Sequence, residues 1–197
     1  MFFENDPDAL DLLQVLKEHE KNENIKQIFD DHYSDIILIF DLDPQDPDYT
    51  PEIIRRMADY FSESSDHGKL YLNYPMIESF YHMRTIPDPD FDSYCVTMEE
   101  LSQRTYKSRV KQLCRIPYKS FATSKQQYDI IISQNLNKAA MINGMETASL
   151  IPFDTSATLA KQLSFLQDYE KLYVLCTCIF YIIDYNPDLL CLHCELS

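Results

Sequence analysis

The chain has 197 residues, 45% of them hydrophobic, with ten prolines, only two glycines and no tryptophan. That is enough to bury the core of one large domain, or of a domain with an appendage, but too little glycine for a Walker or dinucleotide-binding loop. The formal charge of -15 is uneven, with 24 Asp/Glu against 7 Lys/Arg in residues 1–100 and 8 against 10 in residues 101–197, so a uniform nucleic-acid binder is excluded and a local basic patch is not.

The first residues, Met1-Phe2-Phe3-Glu4-Asn5-Asp6, lack the basic start and apolar core of a signal peptide. Residues 8–22 read as an amphipathic helix, with Leu10, Leu13 and Leu16 near helical spacing. Residues 23–35 are polar apart from Ile28-Phe29. Then comes the run Ile36-Ile37-Leu38-Ile39-Phe40, followed at once by Asp41-Leu42-Asp43-Pro44. A short apolar run bounded by turn residues reads as a strand buried on both faces of a parallel sheet. While the chain stays extended, Asp41 and Asp43 point to one side and Leu42 to the other.

Thr50 is a good N-cap and Pro51 suits the first helical position, so a helix follows, with Ile53, Ile54, Met57, Tyr60 and Phe61 on one face and Gly68 as its stop. Lys69 to Asn73 reads as a second strand, making a βαβ unit with parallel strands. Pro75 marks a new helix in which Glu78 and His82 share a face. Because a βαβ unit puts both strand ends on one sheet edge, Glu78 is expected near Asp41 and Asp43. An acid placed there by the helix dipole is the plainer reading of Glu78, and a packing or hydrogen-bonding role that of His82.

The proline-acid stretch 86–92 is the expected boundary between an α/β part, residues 1–86, and an all-helical C-terminal subdomain, residues 87–197. Helices are expected over Thr97–Arg115, Lys125–Met141, Thr155–Tyr169 and Tyr169–Tyr185. The longest apolar run, Leu172 to Ile183, is 12 residues, too short to cross a bilayer, so no membrane partner is expected. Six cysteines without a secretory signal point to reduced thiols and a cytoplasmic location.

Three constellations could carry chemistry. Asp41 and Asp43 at a strand mouth are a candidate magnesium site: two crowded carboxylates repel, a divalent cation removes that cost, and oxygen ligands suit a hard ion. Ordinary loop and cap chemistry is the competing explanation. Arg104, Lys107, Lys111 and Arg115 form a basic stripe that could follow nucleic-acid phosphates, or could be a solvated face that pairs with the acidic half. Cys191-Leu192-His193-Cys194 and Cys176-Thr177-Cys178 could be imagined as halves of a zinc site, but an apolar helix would turn Cys176 and Cys178 to different faces, so buried structural thiols read better.

Ile37-Leu38-Ile39-Phe40-Asp41-Leu42-Asp43, a crossover helix, and Gly68-Lys69-Leu70-Tyr71-Leu72-Asn73-Tyr74-Pro75-Met76-Ile77-Glu78-Ser79 together resemble the second half of a TOPRIM domain, of the OLD-nuclease and RloB-like anti-phage kind. The resemblance covers roughly residues 8–85. It implies a small parallel sheet of TOPRIM-like type, with Asp41 and Asp43 holding Mg2+ and Glu78 assisting. It also implies nucleic acid as substrate in phage defence, with an ATPase as a possible protein partner. Such nucleases carry an earlier glutamate beside a glycine after a first strand. Here barely three residues precede Glu4, and Asn5 stands where the glycine would be, so the chain reads as lacking the N-terminal part of that domain. A nuclease-related enzyme and a non-catalytic TOPRIM-like interaction module therefore both stand as readings.

Overall fold

A computed structural model describes residues 12–47, 49–65, 67–146, 152–186 and 188. Its first helix, α1 (Leu12–Glu18), leads into a 3-10 helix at Glu20–Asp30. Residues 8–11 of the expected first helix, like Glu4, lie outside the described residues.

The expected βαβ unit is present. Strand β1 (Ile37–Asp41) and strand β3 (Gly68–Asn73) pair in parallel, with Asp41 opposite Asn73. Between them runs helix α2 (Pro51–Tyr60), whose cap is Thr50 Oγ1 accepting from Ile53 N–H and whose first residue is Pro51. Two expectations fail here. Gly68 does not stop the helix, which ends eight residues earlier; it opens β3 at φ +112. That φ favours glycine, and a Cβ there would also lie 2.5 Å from Leu38 Cδ1, the tip of a leucine that would have to turn aside. The other failure concerns burial. A short strand β2 (Ser62–Glu63) pairs antiparallel to β3, giving the order β1-β3-β2. The strand buried on both faces is thus the central β3, whereas β1 is an edge, with Ile37, Ile39 and Phe40 41%, 50% and 46% exposed. A run of isoleucines cannot by itself distinguish an interior strand from an apolar edge.

The second half is not all helical. Strand β4 (Cys95–Thr97) leads directly into α3 (Met98–Ser102), closed by a capping box between Thr97 and Glu100. Arg104 then takes a left-handed φ of +56, and a separate helix α4 (Tyr106–Leu113) begins. The expected single helix over Thr97–Arg115 is broken at that residue. Helices α5 (Lys125–Asn143) and α6 (Thr155–Tyr169) agree with their expected spans, α5 ending on Gly144 in the left-handed region. Residues 169–185 do not make one helix. Lys171–Tyr173 form strand β5, antiparallel to β4; a 3-10 helix, Cys178–Phe180, and α7 (Tyr181–Tyr185) follow. Glu170, left-handed at φ +53, turns the chain out of α6 into β5. No helix among the described residues is long and apolar enough to cross a membrane.

One continuous apolar core runs from Leu38 to Ile183, and α6 packs on α2, α5 and β3. The stretch 86–92 is tied to it. Asp88, fully buried, accepts from the Arg84 and Asp90 amides and the Tyr94 hydroxyl, while its own amide donates to Gln134. Past β3, Tyr74 exchanges both backbone hydrogen bonds with Leu175, at 2.8 and 3.0 Å. That bridge brings residues 175–178 to the carboxyl end of β3.

Candidate functional site: an acid cluster at the strand mouth

The register that sets Asp41 opposite Asn73 also fixes what happens next. Leu42 N–H donates to Asn73 O at 2.9 Å, and the Leu42 side chain is fully buried. This anchor leaves its neighbours Asp41 and Asp43 at the rim. Asp43 folds back on its own loop, Oδ1 accepting from Gln45 N–H at 3.0 Å. Asp41 accepts from Asn73 Nδ2 at 3.5 Å.

Glu78 arrives as expected but on a different element. Residues Ile77–Tyr81 are a 3-10 turn rather than an α-helix, so Glu78 and His82 do not share a face. Glu78 turns toward Asp41. The Asp41 carboxyl is held above its usual range first by burial and then by the Glu78 charge, against the pull of the Asn73 hydrogen bond, the Ile77 amide and Lys107. His82 turns inward, stacks on Tyr94 at 4.8 Å and meets the Tyr106 hydroxyl at 3.1 Å, the packing role its sequence context suggested.

Lys107, from the first turn of α4, closes the cluster. Its Nζ lies 3.0 Å from Glu78 Oε1, and Glu78, Asp41 and Asp43 together hold the ammonium above its usual range. The other Glu78 oxygen, Oε2, is buried without a hydrogen-bond partner. Lys107 thus pairs with Glu78 and feels the charges of Asp41 and Asp43, and one Glu78 oxygen is left unsatisfied. Beside them opens a cavity of about 520 Å³ whose lining includes Asp43, Met76, Arg104, Tyr106 and Lys107.

The basic stripe divides. Arg104 and Lys107 line this cavity, whereas Lys111 and Arg115 line another of about 380 Å³ around Cys114 and Tyr118. Arg104 precedes α4 and Arg115 follows it, so only Lys107 and Lys111 share that helix, and the four do not form one helical stripe. A larger hollow, about 680 Å³, sits at the opposite end of the strands near Ile37 and Lys69. Its Asp184 already accepts from Lys69 Nζ, the Tyr71 hydroxyl and Phe153 N–H at 2.6–2.8 Å, so its chemistry is internal bracing.

Among the described residues, no three acids, histidines or cysteines converge as a ready-made metal cage. Magnesium seldom needs one: it commonly takes one or two carboxylates and completes its shell with water and substrate phosphate. The oxygen donors of Asp41 and Asp43, with the orphaned Glu78 Oε2 nearby, fit that mode of binding. The zinc alternative has no described second half, since Cys191, His193 and Cys194 lie outside the described residues.

Two residues beside the acids were not placed there from sequence. Asn73 holds Asp41 and also accepts from the amides of Thr177 and Cys178 at 3.2 and 3.3 Å. The βαβ register alone could have found it. Cys178 approaches from the loop after β5, and reading that loop as a helix concealed it.

Comparison with family models, with curated proteins and with solved structures finds no match to this chain.

Proposed function

We propose that the pocket at the carboxyl ends of β1 and β3 is a magnesium-dependent phosphodiester site in a nuclease-related, TOPRIM-like protein acting on nucleic acid. One observation carries the reading: at the strand mouth Glu78 pairs with Lys107, the charges of Asp41 and Asp43 act on the same lysine, and Glu78 Oε2 is buried and unpartnered. Ligands of open parallel sheets bind at that edge. Asp41 and Asp43 would hold the magnesium ion, whose bound state supplies Lewis acidity toward a phosphate oxygen and a more acidic water. Lys107 and Arg104 face the cavity where a phosphate would sit, and Glu78 fixes the lysine. Lys111 and Arg115 would extend the cationic surface to flanking phosphates of a polymer. A role in phage defence alongside an ATPase rests on the family resemblance alone.

The test is cleavage of labelled single- and double-stranded DNA and RNA with magnesium, comparing wild type with Asp41→Asn plus Asp43→Asn. Loss of cleavage in the double variant is expected; cleavage that persists removes both residues from the chemistry.

The second reading, a non-catalytic interaction module, is favoured by the Lys107–Glu78 pair, which already neutralises one acid, and by the apolar edge of β1. It expects no magnesium response and a stable complex with another protein.

A further inference from the structure

Cys176 and Cys178 take no part in the phosphodiester reading, and their geometry has its own chemistry. Their sulfurs stand 3.4 Å apart, with Cys176 buried and Cys178 half-buried at the surface. An α-helix would have set them on different faces; here Cys176 lies before the 3-10 helix that begins at Cys178, and the two sulfurs meet across Thr177. We propose that Cys176 and Cys178 are an oxidation-sensitive dithiol, with the accessible Cys178 attacked first by a peroxide and the buried Cys176 resolving it to an intrachain disulfide.

The atoms balance. The Cys178 thiolate attacks one oxygen of hydrogen peroxide, the O–O bond breaks, and a sulfenic acid and, after one proton is taken up, water result. The Cys176 sulfur then attacks the Cys178 sulfur, forming S–S and releasing the hydroxyl with the Cys176 proton as a second water. In sum, two thiols and one peroxide give one disulfide and two waters. Closing the sulfurs from 3.4 Å to a bond of about 2.05 Å requires a shift of little more than an ångström.

Three features support the assignment of roles. The hydrogen bond from Cys176 holds the Cys178 thiol below its usual range, against burial and the Asp41 charge, while burial pushes Cys176 well above. A thiolate is the reactive form, so Cys178 leads and Cys176 follows. Cys95 and Cys114 differ in this respect, since burial raises both thiols. The backbone between the two sulfurs is also held in place, because Asn73 Oδ1 receives the amides of both Thr177 and Cys178. Tightening the Cys176–Cys178 ring pulls on that clamp, and through Asn73 Nδ2 on Asp41. The disulfide chemistry stands whether or not the acid cluster hydrolyses anything.

The experiment treats the full chain with hydrogen peroxide at or below one equivalent and then caps free thiols with iodoacetamide. No Lys or Arg follows Lys171, so chymotrypsin, cutting after Leu175 and Phe180, isolates the pair on residues 176–180. The expected result is a 176–180 peptide that has lost two hydrogens and resists capping while Cys95 and Cys114 are still capped, with full capping restored by dithiothreitol. In Cys176→Ser the same peptide should gain one oxygen on Cys178, trapped by dimedone. Without peroxide, Cys178 should be capped about tenfold faster than Cys95 or Cys114 at neutral pH. Oxidation should also speed amide exchange at Thr177 and Cys178, and unchanged exchange would overturn the link to Asn73. Wild-type protein that gains oxygens on 176–180 without losing hydrogens, oxidises first at Cys95 or Cys114, or joins Cys178 to Cys191 or Cys194 would overturn the proposal. Those wild-type readouts decide the matter even if the serine variant fails to fold.

Discussion

His82 makes the fold acid-sensitive by an amount that the structure allows to be worked out. The ring is 1% exposed, and burial, with Arg109 and Lys138 nearby, lowers its pKa to about 3, with Asp88 opposing. The unfolded chain binds a proton near its ordinary value of 6.5, and the folded chain does not. A histidine lowered in this way costs nothing above pH 6.5 and becomes progressively destabilising as pH falls from 6.5 toward 3. At about 1.36 kcal/mol per unit, the loss at pH 5 is about 2 kcal/mol and its ceiling, reached below pH 3, is on the order of 5 kcal/mol. Against a typical domain stability of about 5–15 kcal/mol, that is a large share. His82→Asn keeps a polar atom for the Tyr106 hydroxyl and removes the titration, at a pH-independent cost of about 1–2 kcal/mol from lost packing on Tyr94. The assay is urea unfolding followed by far-UV circular dichroism at pH 7.5, 6.5, 5.5 and 5.0. The wild-type advantage over His82→Asn should shrink by about 2 kcal/mol between pH 7.5 and 5.0, other titrations being common to both. A constant advantage across that range would show that His82 is protonated in the folded state, or not buried, and would refute the reasoning.

Three further outcomes follow from the same geometry. Lys138, fully buried with Nζ on the Phe91 and Tyr94 carbonyls at 2.7 Å, has its pKa lowered to about 7, so the folded state binds fewer protons than the unfolded between pH 7 and 10.5. Wild type should therefore gain about 2–3 kcal/mol relative to Lys138→Met from pH 7.5 to 9.5, by urea unfolding, and parallel profiles would contradict it. Gly68→Ala places a Cβ at a φ of +112, with the tip of Leu38 displaced, and should lower stability by about 1–3 kcal/mol, read as a shift in urea midpoint; a change under about 0.5 kcal/mol would show that residue 68 does not hold that left-handed conformation. Lys107→Met removes the cation that lowers Asp41, so the Asp41 carboxyl should titrate at higher pH by carboxyl-resolved NMR, and an unmoved titration would place Lys107 outside the cluster.

The local signals legible in sequence were those set by near neighbours. The Thr50-Pro51 start of α2, the spans of α5 and α6 and the parallel pairing of the two strands all follow from caps, periodicity and crossover length. The meeting of Asp41 and Glu78 followed from topology, since parallel strands end on one edge. What escaped depended on distant partners. Whether Ile37 and Ile39 were interior turned on a strand order that placed β3, not β1, in the middle. Residues 171–173 looked helical because apolar runs are ambiguous, and only pairing with Cys95–Thr97 makes them a strand. Arg104 escaped because a left-handed arginine leaves no mark in composition, yet it separates α3 from α4 and sits off the helix that carries Lys107 and Lys111.

Magnesium binding tests the central claim, that the acids around Lys107 form a cation site at the strand mouth. Thermal unfolding of wild type, Asp41→Asn and Asp43→Asn would be followed across a magnesium titration at constant ionic strength. At tenfold excess over Kd, one bound ion adds about 1.4 kcal/mol, a rise of about 3–6 °C in Tm for a chain of this size. A saturable rise in wild type that vanishes in both variants is the expected result. A wild-type Tm indifferent to magnesium, or a rise that both variants retain, would contradict the account.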